Sequence, residues 1–164
     1  METLLSLDGH PANVNHQKGC NNVVNMMCDK YGERFALGII DNDKRKPTYL
    51  KVFNEVGKSE HLILLKHKSR CHYIILVSKA VEDLILSCAT EEEMFEQELP
   101  YELEAFKKET KNVNSKNDIR FKYLFKAIKE AREMKIFRDV LSYLLANRYN
   151  CDTDELSALF SLER

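Results

Sequence analysis

The chain of 164 residues is 44% apolar, 31% charged and 9% aromatic, with 5 glycines and 3 prolines. This composition predicts one globular domain and excludes collagen-like, low-complexity and wholly disordered chains, and no apolar run approaches the roughly 20 residues that a membrane helix needs. We therefore expect no membrane association. The formal net charge of -1 excludes a strong overall attraction to nucleic acid, and 5 cysteines without a CxxC pair favour a reducing, cytoplasmic environment.

Strand and helix signals alternate through the first half of the chain. Apolar residues at helical spacing predict helices, and short continuous apolar runs predict strands that are buried on both faces. Pro47 and Gly57 mark the start and the stop of one of these helices. The predicted elements are a helix at 20–31, a strand at 35–40, a helix at 47–56, strands at 61–65 and 72–77, and a helix at 81–89. Such alternation favours an α/β fold with a mostly parallel sheet flanked by helices.

The strand signals stop at residue 90, and the remainder of the chain is predicted to be helical. An acidic segment and a polar connector precede three amphipathic helices, which are predicted at 119–131, 134–147 and 153–162. We expect residues 91–164 to form a C-terminal helical extension packed on an α/β core of residues 1–90, as a single compact domain.

Aromatic and histidine side chains could also carry function. Tyr123, Phe125 and Phe137 stand beside basic residues, where they could stack on nucleic acid bases, but their helical spacing is more typical of a core. The histidines at 16, 61, 67 and 72 could act as acids or bases, yet single histidines near strand ends are more often structural or exposed.

The most informative pattern is the acidic end of the strand predicted at 35–40. Asp41 and Asp43 follow its apolar run directly, and the period of a strand places both side chains on one side. The carboxyl end of a buried strand lies where α/β proteins bind ligands. Two carboxylates held together favour a divalent cation, and Mg²⁺ prefers such oxygen ligands. The alternative is a simple turn, since Asp and Asn are common in turns.

Basic residues on either side of this strand could contact phosphate. Lys44 and Arg45 follow the acidic pair, while Lys18 and Gly19 lie in a turn that leads into the helix predicted at 20–31. Backbone N–H groups at such a turn, together with a lysine, can bind phosphate. The alternative is an ordinary turn with a solvated lysine.

Two segments carry a resemblance to a known family. Residues 15–50, with the turn HQKGCNNV and the strand end IIDND, resemble the Toprim-like domains of small bacterial nucleases related to the overcoming-lysogenization-defect group. Residues 72–86 resemble the strand and acidic helix start that follow the DxD motif in such proteins. The resemblance implies a Toprim-like sheet, Mg²⁺ or Mn²⁺ as cofactor, and hydrolysis of phosphodiesters. The residues it assigns are Asp41, Asp43 and Glu82 for catalysis and Asp41, Asp43 and Asp83 for the metal.

One departure from the Toprim pattern leaves two hypotheses. Toprim domains begin with a strand that ends in Glu, and we expect this strand to be absent here, because the sequence starts at what resembles the following helix. The first hypothesis is a metal-dependent nuclease that acts on DNA or RNA, in bacterial defence or mobile elements as the resemblance implies. The second is a non-catalytic interaction protein that binds a protein partner through the acidic block 91–109 and the helical tail. The oligomeric state stays open, a homodimer included.

Overall fold

The structure is a computed structural model, and residues 19–42, 46–92, 99–100, 102–112 and 117–161 are described. Four strands form one sheet in the order β1-β4-β3-β2. The strands are β1 (Ala36–Asn42), β2 (Phe53–Lys58), β3 (Leu62–His67) and β4 (His72–Ser78). Together with the helices on its faces, this sheet makes the fold α/β, and the predicted strands at 35–40, 61–65 and 72–77 are confirmed within a few residues.

The sheet is mixed, so the prediction of a mostly parallel sheet is wrong. Strand β1 pairs in parallel with β4, whereas β2 pairs antiparallel with β3 and β3 pairs antiparallel with β4. The reason lies in the connections, because only residues 59–61 and 68–71 separate these last strands. A parallel neighbour needs a crossover of about a dozen residues, so such short links return the chain as hairpins.

The helix predicted at 47–56 is also wrong. A short 3-10 turn at Thr48–Val52 is followed directly by strand β2. Residues 52–56 contain β-branched and aromatic side chains that suit a strand, and pairing with β3 supplies their backbone hydrogen bonds. The nonlocal pairing therefore overrides the helix signals of Pro47 and Gly57.

The remaining predicted helices are found near their expected positions. The first, α1, runs over Cys20–Met26 and continues as a π-helical turn at Met27–Tyr31. The others are α2 (Val81–Glu91), α3 (Leu103–Thr110), α4 (Ile119–Ala127), α5 (Arg132–Asn147) and α6 (Thr153–Ala158), with 3-10 turns at Ile128–Glu130, Arg148–Asn150 and Leu159–Ser161. Among the described residues, none of these helices combines the length and apolarity needed to cross a bilayer.

The two faces of the sheet carry separate core clusters. Helix α1 and the 3-10 turn at Thr48–Val52 cover one face, where Val24, Met27 and Leu50 pack against β1 and β4. A larger cluster on the other face joins the strands to residues of α2–α6. Phe125 and Phe137 lie in this larger cluster, which confirms the core interpretation for both.

Tyr123 does not share that role. Its side chain is 58% exposed on α4, and Ile119, one turn earlier, is 79% exposed. An exposed tyrosine and isoleucine four residues apart form a short apolar strip on the surface of this helix.

Candidate functional site

The parallel pair brings two chain segments to one edge of the sheet. In the register of β1 and β4, Asp41 lies opposite Val77 and Asn42 lies opposite Ser78. Helix α2 begins three residues after Ser78, so its acidic first turn lies beside the end of β1. We call this region, formed by the ends of β1 and β4 and the first turn of α2, the carboxyl edge. It is the position at which α/β proteins usually bind ligands.

The alternation along β1 decides where Asp41 points. Ala36 and Ile40 are buried in the cluster beneath α1, and Leu37 and Ile39 pack into the cluster on the other face. Asp41 shares the side of Leu37 and Ile39, because side chains alternate along a strand. Its carboxylate is exposed at the end of the strand and faces the side on which α2 and α3 lie.

A lysine on α3 links the acids of the carboxyl edge. Lys107 Nζ lies 3.1 Å from Glu104 Oε1, and this hydrogen bond is the largest cause that raises the pKa of Lys107. The charges of Glu82 and Asp41 raise that pKa further. Glu82 also accepts a hydrogen bond of 3.2 Å from Thr110 Oγ1. Asp41 and Glu82, from two different elements, therefore both act on the charge of Lys107, whose direct partner is Glu104.

Asp83 points to the other side of α2. Its carboxylate lies 3.6 Å from Lys79 Nζ and 3.9 Å from His61 Nδ1. Neighbouring residues on a helix diverge by about 100° around its axis, so Glu82 and Asp83 face different surroundings. The assignment of Asp83 as a metal ligand stays a prediction.

Of the residues predicted to bind phosphate, the structure describes Gly19. Gly19 is the N-cap of α1, and its carbonyl accepts the N–H of Asn22 at 3.1 Å. A turn of a few residues joins the end of this helical segment at Tyr31 to β1, so the helix runs back along the strand and its N-terminus lies toward the carboxyl edge. The other assigned residues, Lys18, Asp43, Lys44 and Arg45, lie outside the described residues.

The acids of this edge suit magnesium better than a metal that needs a full protein cage. Within the described ranges, no group of three or more His, Cys, Asp or Glu side chains is arranged to hold a metal. Mg²⁺ is commonly bound through only one or two carboxylates and keeps several waters. Asp41 and Glu82 are two carboxylates at one edge, and a magnesium site there stays a prediction.

Sequence analysis missed the side chains that surround these acids. Lys107 and Thr110 lie in the segment that was predicted only as an acidic, partly helical stretch. The hydrogen bond of Thr110 to Glu82 joins residues that are distant along the chain, and so does the effect of Asp41 and Glu82 on the pKa of Lys107. No local motif marks such a contact, because it depends on how α3 packs beside α2.

A second polar cluster lies at the other end of the strands, opposite the carboxyl edge. The rings of His67 and His72 are 5.9 Å apart, and Tyr49 packs against both. His67 Nδ1 accepts the backbone N–H groups of Ser69 and Arg70, at 3.1 and 3.0 Å. His72 is fully buried, and its Nδ1 lies 3.1 Å from the Tyr49 hydroxyl. Both histidines are thus structural, as their positions near strand ends suggested.

Acid should destabilise the protein through these two histidines. Burial is the largest cause that lowers the pKa of both histidines. The charge of Arg70 is the next cause for His67, and the charge of His67 is the next cause for His72. Above about pH 6.5 both are neutral in the folded and unfolded chains, and below it the unfolded chain binds protons first. The free energy of unfolding should therefore fall as the pH decreases below about 6.5. Urea titrations between pH 8 and 5 would measure the free energy of unfolding. In the double variant His67→Gln/His72→Gln, we expect this free energy to depend less on pH.

Comparison with known protein families, curated proteins and solved structures gives no match to this chain. Function is therefore inferred from the geometry of the carboxyl edge.

Proposed function

We propose that the protein is a metal-dependent phosphodiester hydrolase that acts on nucleic acid. The observation that carries this proposal is the position of Asp41 at the end of β1, at the edge where β4 leads into the acidic first turn of α2 with Glu82. Two carboxylates and one ammonium group provide what a phosphodiester needs, namely ligands for a cation and a positive contact for a phosphate oxygen.

Each residue of the edge has a separate role in this proposal. Asp41 and Glu82 hold Mg²⁺ or Mn²⁺, and the bound ion would supply charge stabilisation and a more acidic water. Lys107 binds a non-bridging phosphate oxygen, exchanging its exposed partner Glu104 for the substrate. The remaining assigned residues extend the site on the sequence evidence, with Asp43 as a further metal ligand and Lys18, Gly19, Lys44 and Arg45 as phosphate contacts. This site does not use Asp83, because its carboxylate faces Lys79 and His61.

A second function, that of a non-catalytic interaction protein, has its own support. Lys107 already supplies a positive charge to Asp41 and Glu82, so these acids are partly neutralised without a cation. The exposed strip of Ile119 and Tyr123 on α4 offers apolar surface to a protein partner, which includes a second copy of the chain.

Nucleic acid cleavage separates the two functions. The purified protein is incubated with single-stranded DNA, double-stranded DNA or RNA in Mg²⁺, in Mn²⁺ or in EDTA. The hydrolase should cleave at least one of these substrates with either metal and none in EDTA. Intact substrates under every condition, together with a specific protein retained in a pull-down, would support the interaction protein instead.

A further inference from the structure

A cavity lies on the opposite flank of α2 from Glu82. It has a volume of about 520 Å³, and the described residues of its lining comprise one basic side chain, three glutamates and three other polar residues: Arg132, Glu60, Glu91, Glu133, His61, Ser87 and Thr90. This volume is within the range of small-molecule sites. The nuclease proposal uses none of the side chains that line this cavity, although the cavity opens at the same end of the sheet.

Two side chains that line this cavity and one next to them place a hydroxyl, an imidazole and a carboxylate in a row. Ser87 Oγ lies 3.1 Å from His61 Nε2, and His61 Nδ1 lies 3.9 Å from Asp83 Oδ2. His61 Nδ1 is buried and has no hydrogen-bond partner. With its proton on Nδ1, directed to Asp83, the ring presents the lone pair of Nε2 to the serine hydroxyl. Such contacts are often long before substrate binds.

The backbone around this series is held in place. Asp83 and Ser87 are four residues apart on α2, so both project from one face of the helix toward His61. The buried carboxylate of Glu133 accepts the backbone N–H of His61 at 3.0 Å and the hydroxyl of Ser59 at 2.6 Å. Glu133 therefore fixes the chain that carries the imidazole.

The charges that line the cavity are mostly negative. In the described part of the lining, Arg132 is the one basic residue among three glutamates, and its Nη1 lies 3.1 Å from Glu133 Oε1. Glu60 Oε1 also lies 3.8 Å from His61 Nε2. The lining therefore disfavours a substrate with negative charge.

We propose that Ser87, His61 and Asp83 form a hydrolytic triad that cleaves small esters without negative charge. Ser87 Oγ forms a bond to the acyl carbon as its proton passes to His61 Nε2. The bond to the leaving alcohol breaks, and that alcohol takes the proton. A water then gives a proton to His61 and its oxygen to the acyl carbon, and Ser87 leaves with the proton restored.

Ester hydrolysis and covalent labelling test this proposal on the full chain. The substrate is 4-nitrophenyl acetate, a small ester without charge, and a fluorophosphonate probe should add once to the native protein, on Ser87. Hydrolysis should fall about 100-fold or more in Ser87→Ala and His61→Gln. Asp83→Asn should lower kcat without changing KM, with partial recovery in Asp83→Glu.

The matched control is Ser157→Ala, since Ser157 is a half-buried helical serine outside this cavity. It should hydrolyse the ester at the native rate, and circular dichroism should show every variant folded. Absence of hydrolysis by the native protein, or a label that maps to a residue other than Ser87, would overturn the triad. The mapping uses the unmodified sequence, so it decides the question even if a variant fails to fold.

Discussion

Replacement of Asp41 by Asn should reduce metal-dependent cleavage of nucleic acid by about 100-fold or more. Asn keeps the shape of the side chain but loses the charge that holds the cation. Asp41 is exposed at the end of β1, whose backbone pairing with β4 does not require the carboxylate, so the fold should persist. Initial rates of cleavage in saturating Mg²⁺ measure the effect, and thermal unfolding checks the fold.

The matched control for this variant is Asp139→Asn, which makes the same chemical change on α5. Asp139 pairs with Lys135 and lies outside the carboxyl edge, so its loss should leave the cleavage rate unchanged. Glu82→Gln should reduce cleavage as Asp41→Asn does. Undiminished cleavage in Asp41→Asn would remove this residue from the active site.

Replacement of Gly57 by Ala should destabilise the fold by about 1–3 kcal/mol. A methyl group at this position would lie 2.3 Å from Cδ2 of the Phe160 ring, closer than carbon atoms approach each other. Phe160 is itself buried in the larger core cluster, and a ring displaced from there would lose its packing. Urea unfolding, followed by circular dichroism, gives the change in free energy.

The clash with Phe160 is tested by a double-mutant cycle. Phe160→Leu removes part of the ring, so Gly57→Ala should cost much less in that background than in the native chain. Equal costs in the two backgrounds would show that the destabilisation does not arise from contact with Phe160.

The local sequence pattern was sufficient to predict the strands that have continuous apolar runs. It was insufficient to predict β2. Pro47 and Gly57 resemble the start and stop of a helix, but Gly57 lies beside Phe160 in a strand with an irregular register. This contact joins residues that are far apart in the chain, and no local pattern reports it. The four-residue link 68–71 did carry information, since it is too short for a parallel crossover.

The candidate site shows the same limit. The apolar run before Asp41 was enough to place that residue at the end of a strand, and the resemblance supplied Glu82. Lys107 enters the site through the packing of α3, and Ser87 meets His61 through the packing of α2 against the start of β3. Periodicity predicts that these helices form, but it does not predict which side chains they bring together.

A calorimetric titration with Mn²⁺ tests most directly whether the acids of the carboxyl edge bind a cation. We predict saturable binding to the native protein, with affinity about tenfold or more weaker in Asp41→Asn and in Glu82→Gln, and unchanged in Asp139→Asn. No binding by the native protein, or equal affinity in all four proteins, would contradict a metal site at this edge.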